Sequence, residues 1–164
     1  MYYLVKAKYE RMGETKPVTE QYLFQTEMFS SAEFAALKIL GQYATDGVDI
    51  VSITRFPVSE VIGDTYGIES QMQHDVAEMM GKHPVSDDAD KWFKLKAAFI
   101  TIDEKTLKEK RQSFNIMVNA NTVDGAHNLA DNHLRHGMAD YVIESVTETK
   151  IMDVYVIEHN TPNE

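Results

Sequence analysis

The sequence predicts an α+β fold made by tandem duplication of a β-β-α-β unit with antiparallel sheets. Three observations carry this. Two stretches, beginning at Tyr2 and at Trp92, repeat the same pattern of aromatics and lysines. Both alternate apolar and polar residues with the period of two that marks a half-buried strand. Each is followed by a second alternating stretch and then a single helix-like one, an order that implies hairpins packed on helices.

The first strand of each repeat comes from the echo itself. Tyr2, Tyr3, Val5, Lys6, Ala7 and Tyr9 fall on Trp92, Phe93, Leu95, Lys96, Ala97 and Phe99. The polar turns "RMGETKPVT" and "TIDEKTLKE" follow. The second strands are "EQYLFQTE" and "QSFNIMVNA", with Tyr22, Phe24 and Thr26 falling on Phe114, Ile116 and Val118. Ser30 with Glu33 fits a capping box for the first helix. Thr122 is the matching cap of the second, with Asp124 at its positive end. The first helix is expected to end near Thr45–Gly47 and the second near Gly137, as a left-handed terminal residue. Third strands, "VDIVSITRF" and "YVIESVTET", and short fourth ones, "SEVI" and "IMDVYVI", complete each copy. Pro57 interrupts the first copy before its fourth strand. The domain boundaries read as 1–62 for the first repeat, 63–91 for an acidic connector and 92–164 for the second. Within the connector "SQMQHDVAEMM" has the pattern of a short amphipathic helix.

The chain has 164 residues and no cysteine, which excludes disulfides, thiolate metal sites and cysteine nucleophiles. No apolar run approaches a membrane span, and the N-terminus lacks a signal peptide's apolar region, so a cytoplasmic protein is expected. The formal net charge is −10. It is unevenly spread: residues 31–90 carry three basic and eleven acidic side chains, and residues 91–120 carry seven and three. Eleven of the sixteen basic residues lie in 6–16 or 91–111, which are the repeated strands and their turns.

Period two puts Tyr3, Val5, Ala7 and Tyr9 on one face of the first strand and Phe93, Leu95, Ala97 and Phe99 on its counterpart. Those apolar faces are expected to meet the helices. The other faces carry Tyr2, Lys6 and Lys8, and Trp92, Lys94 and Lys96. A ring followed by lysines suits single-stranded nucleic acid, whose bases stack on aromatics while lysines follow the phosphates. Lys110 and Arg111 extend the basic surface. The bland alternative is that such lysines only keep a sheet soluble or guard its edge.

Catalytic and metal signals are weak. His127 and Asp131 lie four apart on the second helix, but two ligands do not make a site. "SDDAD" lacks the glycine and distal glutamate of a calcium loop. The phosphate-loop, dinucleotide and nucleophile-elbow motifs do not occur. The expectation is a non-enzymatic protein with no catalytic residues, cofactor or metal. It binds single-stranded nucleic acid, and its acidic segments limit indiscriminate binding or recruit basic partner proteins. The alternative is a protein-interaction or small-ligand-sequestering module with a cleft between the repeats.

"FITIDEK", "MADYVIESVTET" and "IMDVY" in the second copy, with "YLVKAKYE" and "VTEQYLF" in the first, resemble an uncharacterised domain-of-unknown-function family of gut anaerobes and their tailed phages. The resemblance spans nearly the whole chain outside 63–91. It implies a phage or mobile-element setting, in the host cytoplasm if phage-encoded, with a role in replication or recombination. It supplies no activity and no catalytic residues.

Overall fold

The computed structural model describes residues 1–69 and 91–158. They form an α+β protein with two helices and two mixed sheets among the described residues. The chain divides into two compact units. The first comprises Met1–Phe56 and the described parts of 65–85 and 150–164. The second comprises Pro57–Asp64 and the described part of 86–149.

In the first unit β1 (Tyr2–Arg11) forms a hairpin with β2 (Pro17–Gln25). Then come α1 (Phe29–Gly41) and β3 (Ala44–Phe56), which pairs antiparallel with the other side of β1. Val5, Ala7 and Tyr9 of β1 join Tyr22 and Phe24 of β2 in the core. Against them α1 presents Ala32, Ala35, Ala36, Ile39 and Leu40, all buried. Three alanines on that stripe let the helix lie close to the sheet.

The second unit repeats the order with β6 (Lys91–Ile102), β7 (Glu109–Ala120), α2 (Val123–Arg135) and β8 (Asp140–Glu148). Phe93, Leu95 and Ala97 pack with Ile116, Val118, Ala126, Ala130 and Leu134. Thr122 caps α2 as its sequence suggests, accepting a 3.0 Å hydrogen bond from Gly125 N–H. Both first strands shift register against their third strands at equivalent places, Lys6/Ala7 and Lys96/Ala97.

The fourth strands depart from the expected boundaries 1–62 and 92–164, and from purely antiparallel sheets. Strand β4 (Glu60–Ile62), which follows β3 in the chain, pairs parallel with β7 of the second unit. Strand β9 (Ile151–Glu158), which follows β8, pairs parallel with β2 of the first. Strand β5 (Tyr66–Glu69), inside the expected connector, adds parallel to the far side of β9. The sheet orders are β3-β1-β2-β9-β5 and β4-β7-β6-β8. Both fourth strands extend apolar surface beside a second strand. No local signal says which sheet they join.

Three end signals also resolve differently. The N-cap of α1 is Met28 with no side-chain cap; Ser30 lies inside the helix, so the box with Glu33 does not form. Thr26 Oγ1 instead accepts from Met28 N–H at 3.3 Å. Helix α1 stops at Gly41 because β3 begins at Ala44. Gly137 is not among the positive-φ glycines, and its N–H simply closes on Leu134 O at 3.1 Å. The helix expected at 70–80 and the "SDDAD" stretch lie outside the described residues.

Candidate functional site

The residues expected to hold nucleic acid are dispersed in character. Tyr2, Lys6 and Lys8 share a face of β1, with both lysines exposed and Tyr2 half-buried. Trp92, Lys94 and Lys96 share a face of β6, while Lys110 and Arg111 lie near the far end of its hairpin, opposite Thr101 and Ile100. Trp92 is the clear correction. It is 3% exposed, and base stacking needs an open ring face. A Cβ on Gly63, which follows β4, would stand 3.3 Å from Trp92 Cη2. The strap after β4 therefore lies against the indole.

Several of the cations are also committed to carboxylates. Lys96 pairs with Glu144 at 3.4 Å, and Arg111 with Glu109 at 2.8 Å. Lys8 stands opposite Asp49 in the β1–β3 register. Lys94 is half-buried; Lys6 and Lys110 are exposed. Neighbouring carboxylates reduce the potential that would track a phosphate backbone. On α2, Asp131 accepts from the Tyr141 hydroxyl at 2.6 Å and pairs with Arg135. Those two partners, Tyr141 first, hold Asp131 below the usual carboxylate range.

A more organised site lies in the first unit, at one end of the sheet face that α1 covers. A pocket of about 520 Å³ is lined there by Tyr9, Tyr22, Tyr43 and Tyr155, by Arg11, Glu14 and Asp153, and by Met12, Leu40, Gln42 and Met152. Its volume falls in the range of small-molecule sites. Each element brings polar groups to this end. Period two on β2 aligns Glu20 with Tyr22 and Phe24 on the core face, and on β9 it aligns Asp153 with Tyr155 and Ile157.

The two carboxylates differ in their surroundings. Glu20 is buried and saturated with donors. Tyr9 donates to its Oε2 at 2.7 Å, Tyr22 donates to the same oxygen, and Arg11 pairs with its Oε1. A buried carboxylate needs such company. Arg11 also approaches Glu14 at 3.7 Å. Asp153 receives no side-chain hydrogen bond among the described residues, and burial alone raises it to about 6. Burial, followed by contact with Tyr9, pushes the Tyr22 phenol up. Burial and then Asp153 raise Tyr155 and Tyr43. The rings therefore stay neutral around one half-buried acid.

The sequence carries a signal for this site that lies outside the repeated pattern. Glu20 and Asp153 are charges set among apolar residues of the same strand parity, in "VTEQYLF" and "IMDVYVI". A charge on a core face breaks the pattern that otherwise defines the strand, and such breaks gather at functional sites.

A second hollow of about 510 Å³ belongs to the second unit, over Phe99 and Phe114. Those rings stack with centroids 4.4 Å apart. His133 and Glu60 pair at its edge at 2.6 Å. Their bond ties α2 to the short strand β4.

Among the described residues no helix is long and apolar enough to cross a membrane. The model of a protein family described as "Domain of unknown function (DUF4494)" matches residues 1–157. No curated protein matches the chain.

Proposed function

The chain belongs to the DUF4494 family, a domain of unknown function, and from that premise we propose that it is a non-enzymatic small-ligand-binding protein. Its site is the tyrosine-lined pocket of the first unit. The observation that carries this reading is Asp153: a carboxylate on a core face, beside a pocket of about 520 Å³, without a hydrogen-bonding side chain among the described residues. Convergent polar groups in a concave, largely apolar setting are what ligand sites use. The matching element order and register shifts of the two units support descent from one duplicated β-β-α-β unit. On this reading only the first copy carries the pocket, since it alone has Glu20 and Asp153 on its core face.

The test is amide-shift mapping of the full chain against a mixed library of small organic molecules. Shifts are expected to gather at Tyr9–Met12, Gln42–Tyr43 and Met152–Tyr155. Shifts gathered elsewhere would overturn the reading.

A second reading is favoured by the exposure of Lys6, Lys8 and Lys110. It is single-stranded nucleic-acid binding without Trp92, in a phage replication or recombination setting in the host cytoplasm. Basic partner proteins would then meet the acidic segments. Affinity for random single-stranded DNA should fall steeply with salt, with a slope of about −0.7 per phosphate contact. Lys6→Gln with Lys8→Gln should flatten that slope. Absent or salt-independent binding would sink this reading and leave the pocket reading untouched.

A further inference from the structure

We infer that the pocket of the first unit takes a small organic cation, held by Asp153 among the tyrosine rings. The inference rests on the reading of that pocket as a ligand site and adds its chemical class.

Four features select positive charge. The first is Asp153 itself, opposite Tyr22 in the β2–β9 register. It brings a negative charge into a half-buried place without a cation of its own among the described residues. The second is aromatic: Tyr9, Tyr22, Tyr43 and Tyr155 line the same space. Ring faces attract ammonium groups, and an aromatic lining with one acid is a common way to hold alkylated amines. The third is the end of α1. Leu40, Gln42 and Tyr43 place the helix C-terminus at the pocket, and that end of the helix dipole carries partial negative charge. The fourth is the state of Arg11, the lining's one cationic side chain. It is taken by Glu20 and lies 3.7 Å from Glu14. An anionic ligand would have to displace a saturated, buried carboxylate to reach it.

Other ligand classes fit less well. A metal ion prefers several hard donors, and among the described residues no group of three or more candidate ligands is gathered. A purely apolar ligand would leave Asp153 buried without compensation, which is costly. An organic cation satisfies the acid and the rings together.

The probes are three molecules of similar shape: tetramethylammonium, tert-butanol and pivalate. They carry positive, zero and negative charge. Amide shifts of the full chain are followed as each is added at constant ionic strength. Tetramethylammonium is expected to give saturable shifts at Tyr9–Met12, Gln42–Tyr43 and Met152–Tyr155. Pivalate should give none there, and tert-butanol weaker ones. Asp153→Asn should weaken tetramethylammonium binding about tenfold, and Tyr43→Leu by several-fold, the scale of a cation–π contact. Tyr43 is 44% exposed, so that variant keeps the test usable if Asp153→Asn disturbs folding.

The probe keeps its charge at every pH, so its affinity should fall as pH drops through about 6, where Asp153 gains a proton. Tyr9 and Arg11 of β1, Glu14 in the turn after it, Tyr22 of β2, Tyr43 after α1 and Tyr155 of β9 are the other titratable groups lining the pocket with Asp153. The pH step should vanish in Asp153→Asn. Stronger shifts with pivalate or tert-butanol than with tetramethylammonium would overturn the cation assignment while leaving the pocket as a ligand site. No pocket shifts with any of the three would overturn the cation assignment, and the mixed-library mapping then decides the pocket reading independently.

Discussion

Tyr22 and Asp153 stand opposite each other in the parallel pairing of β2 with β9, two strands separated in sequence by the whole β6–β8 segment. The pairing puts a carboxylate next to a buried phenol at the polar end of the first core. It makes stability depend on pH in an unusual direction.

Burial raises Asp153 to about 6 from the ordinary aspartate value of 3.8. Between those two values the folded state binds the proton more tightly than the unfolded state. Its contribution to stability is therefore greatest below about pH 4, falls as pH rises through 6, and stays low above that. The swing is on the order of 2–3 kcal/mol. Other carboxylates add their own pH dependence, so the measurement is a difference. Urea unfolding of the wild type and of Asp153→Asn is compared from pH 4.5 to 7.5. The variant should gain relative stability as pH rises. Parallel curves would mean that the folded and unfolded states bind this proton equally.

Trp92, the only tryptophan, is buried against the strap that carries Gly63. Its emission should be blue-shifted and unchanged by single-stranded oligonucleotide. Trp92→Ala should cost about 3–5 kcal/mol, as removal of a large core ring does. Red-shifted emission that DNA quenches would restore the stacking role.

Gly63 has φ +138°, and a Cβ there would collide with the Cβ of Asn119 and press on Trp92. Both the backbone and the contact exclude a side chain. Gly63→Ala should destabilise the second unit by about 1–3 kcal/mol. Hydrogen exchange should show the loss first in β4 and the adjoining part of β7. Wild-type protection in that variant would show that the strap can lift without cost.

Leu95 and Val5 are fully buried, whereas Lys96 and Lys6 on the opposite parity are exposed. Leu95→Ala should cost about 2–5 kcal/mol. Lys6→Ala should stay within about 0.5 kcal/mol, as surface changes usually do. Thermal unfolding of the two variants, side by side, checks the assignment of the faces.

Much of the local structure was legible in the residues. Alternation fixed which side of β1 and β6 meets a helix, because period two leaves no choice of face once the apolar set is known. Thr122 before α2 and Pro57 after β3 marked ends through chemistry that acts within a few residues. Those signals established an α+β chain with the order strand, strand, helix, strand in both halves. They did not establish where β4 and β9 go. A parallel pairing between strands distant in sequence has no turn to set its register, and it is decided by the surface each sheet leaves uncovered. That decision made the sheets mixed and brought Asp153 beside Tyr22 and the end of α1. The burial of Trp92 was likewise decided in three dimensions. Its own strand gives it an aromatic-and-lysine face suited to solvent, and Gly63, arriving from another part of the chain, lies close to its ring.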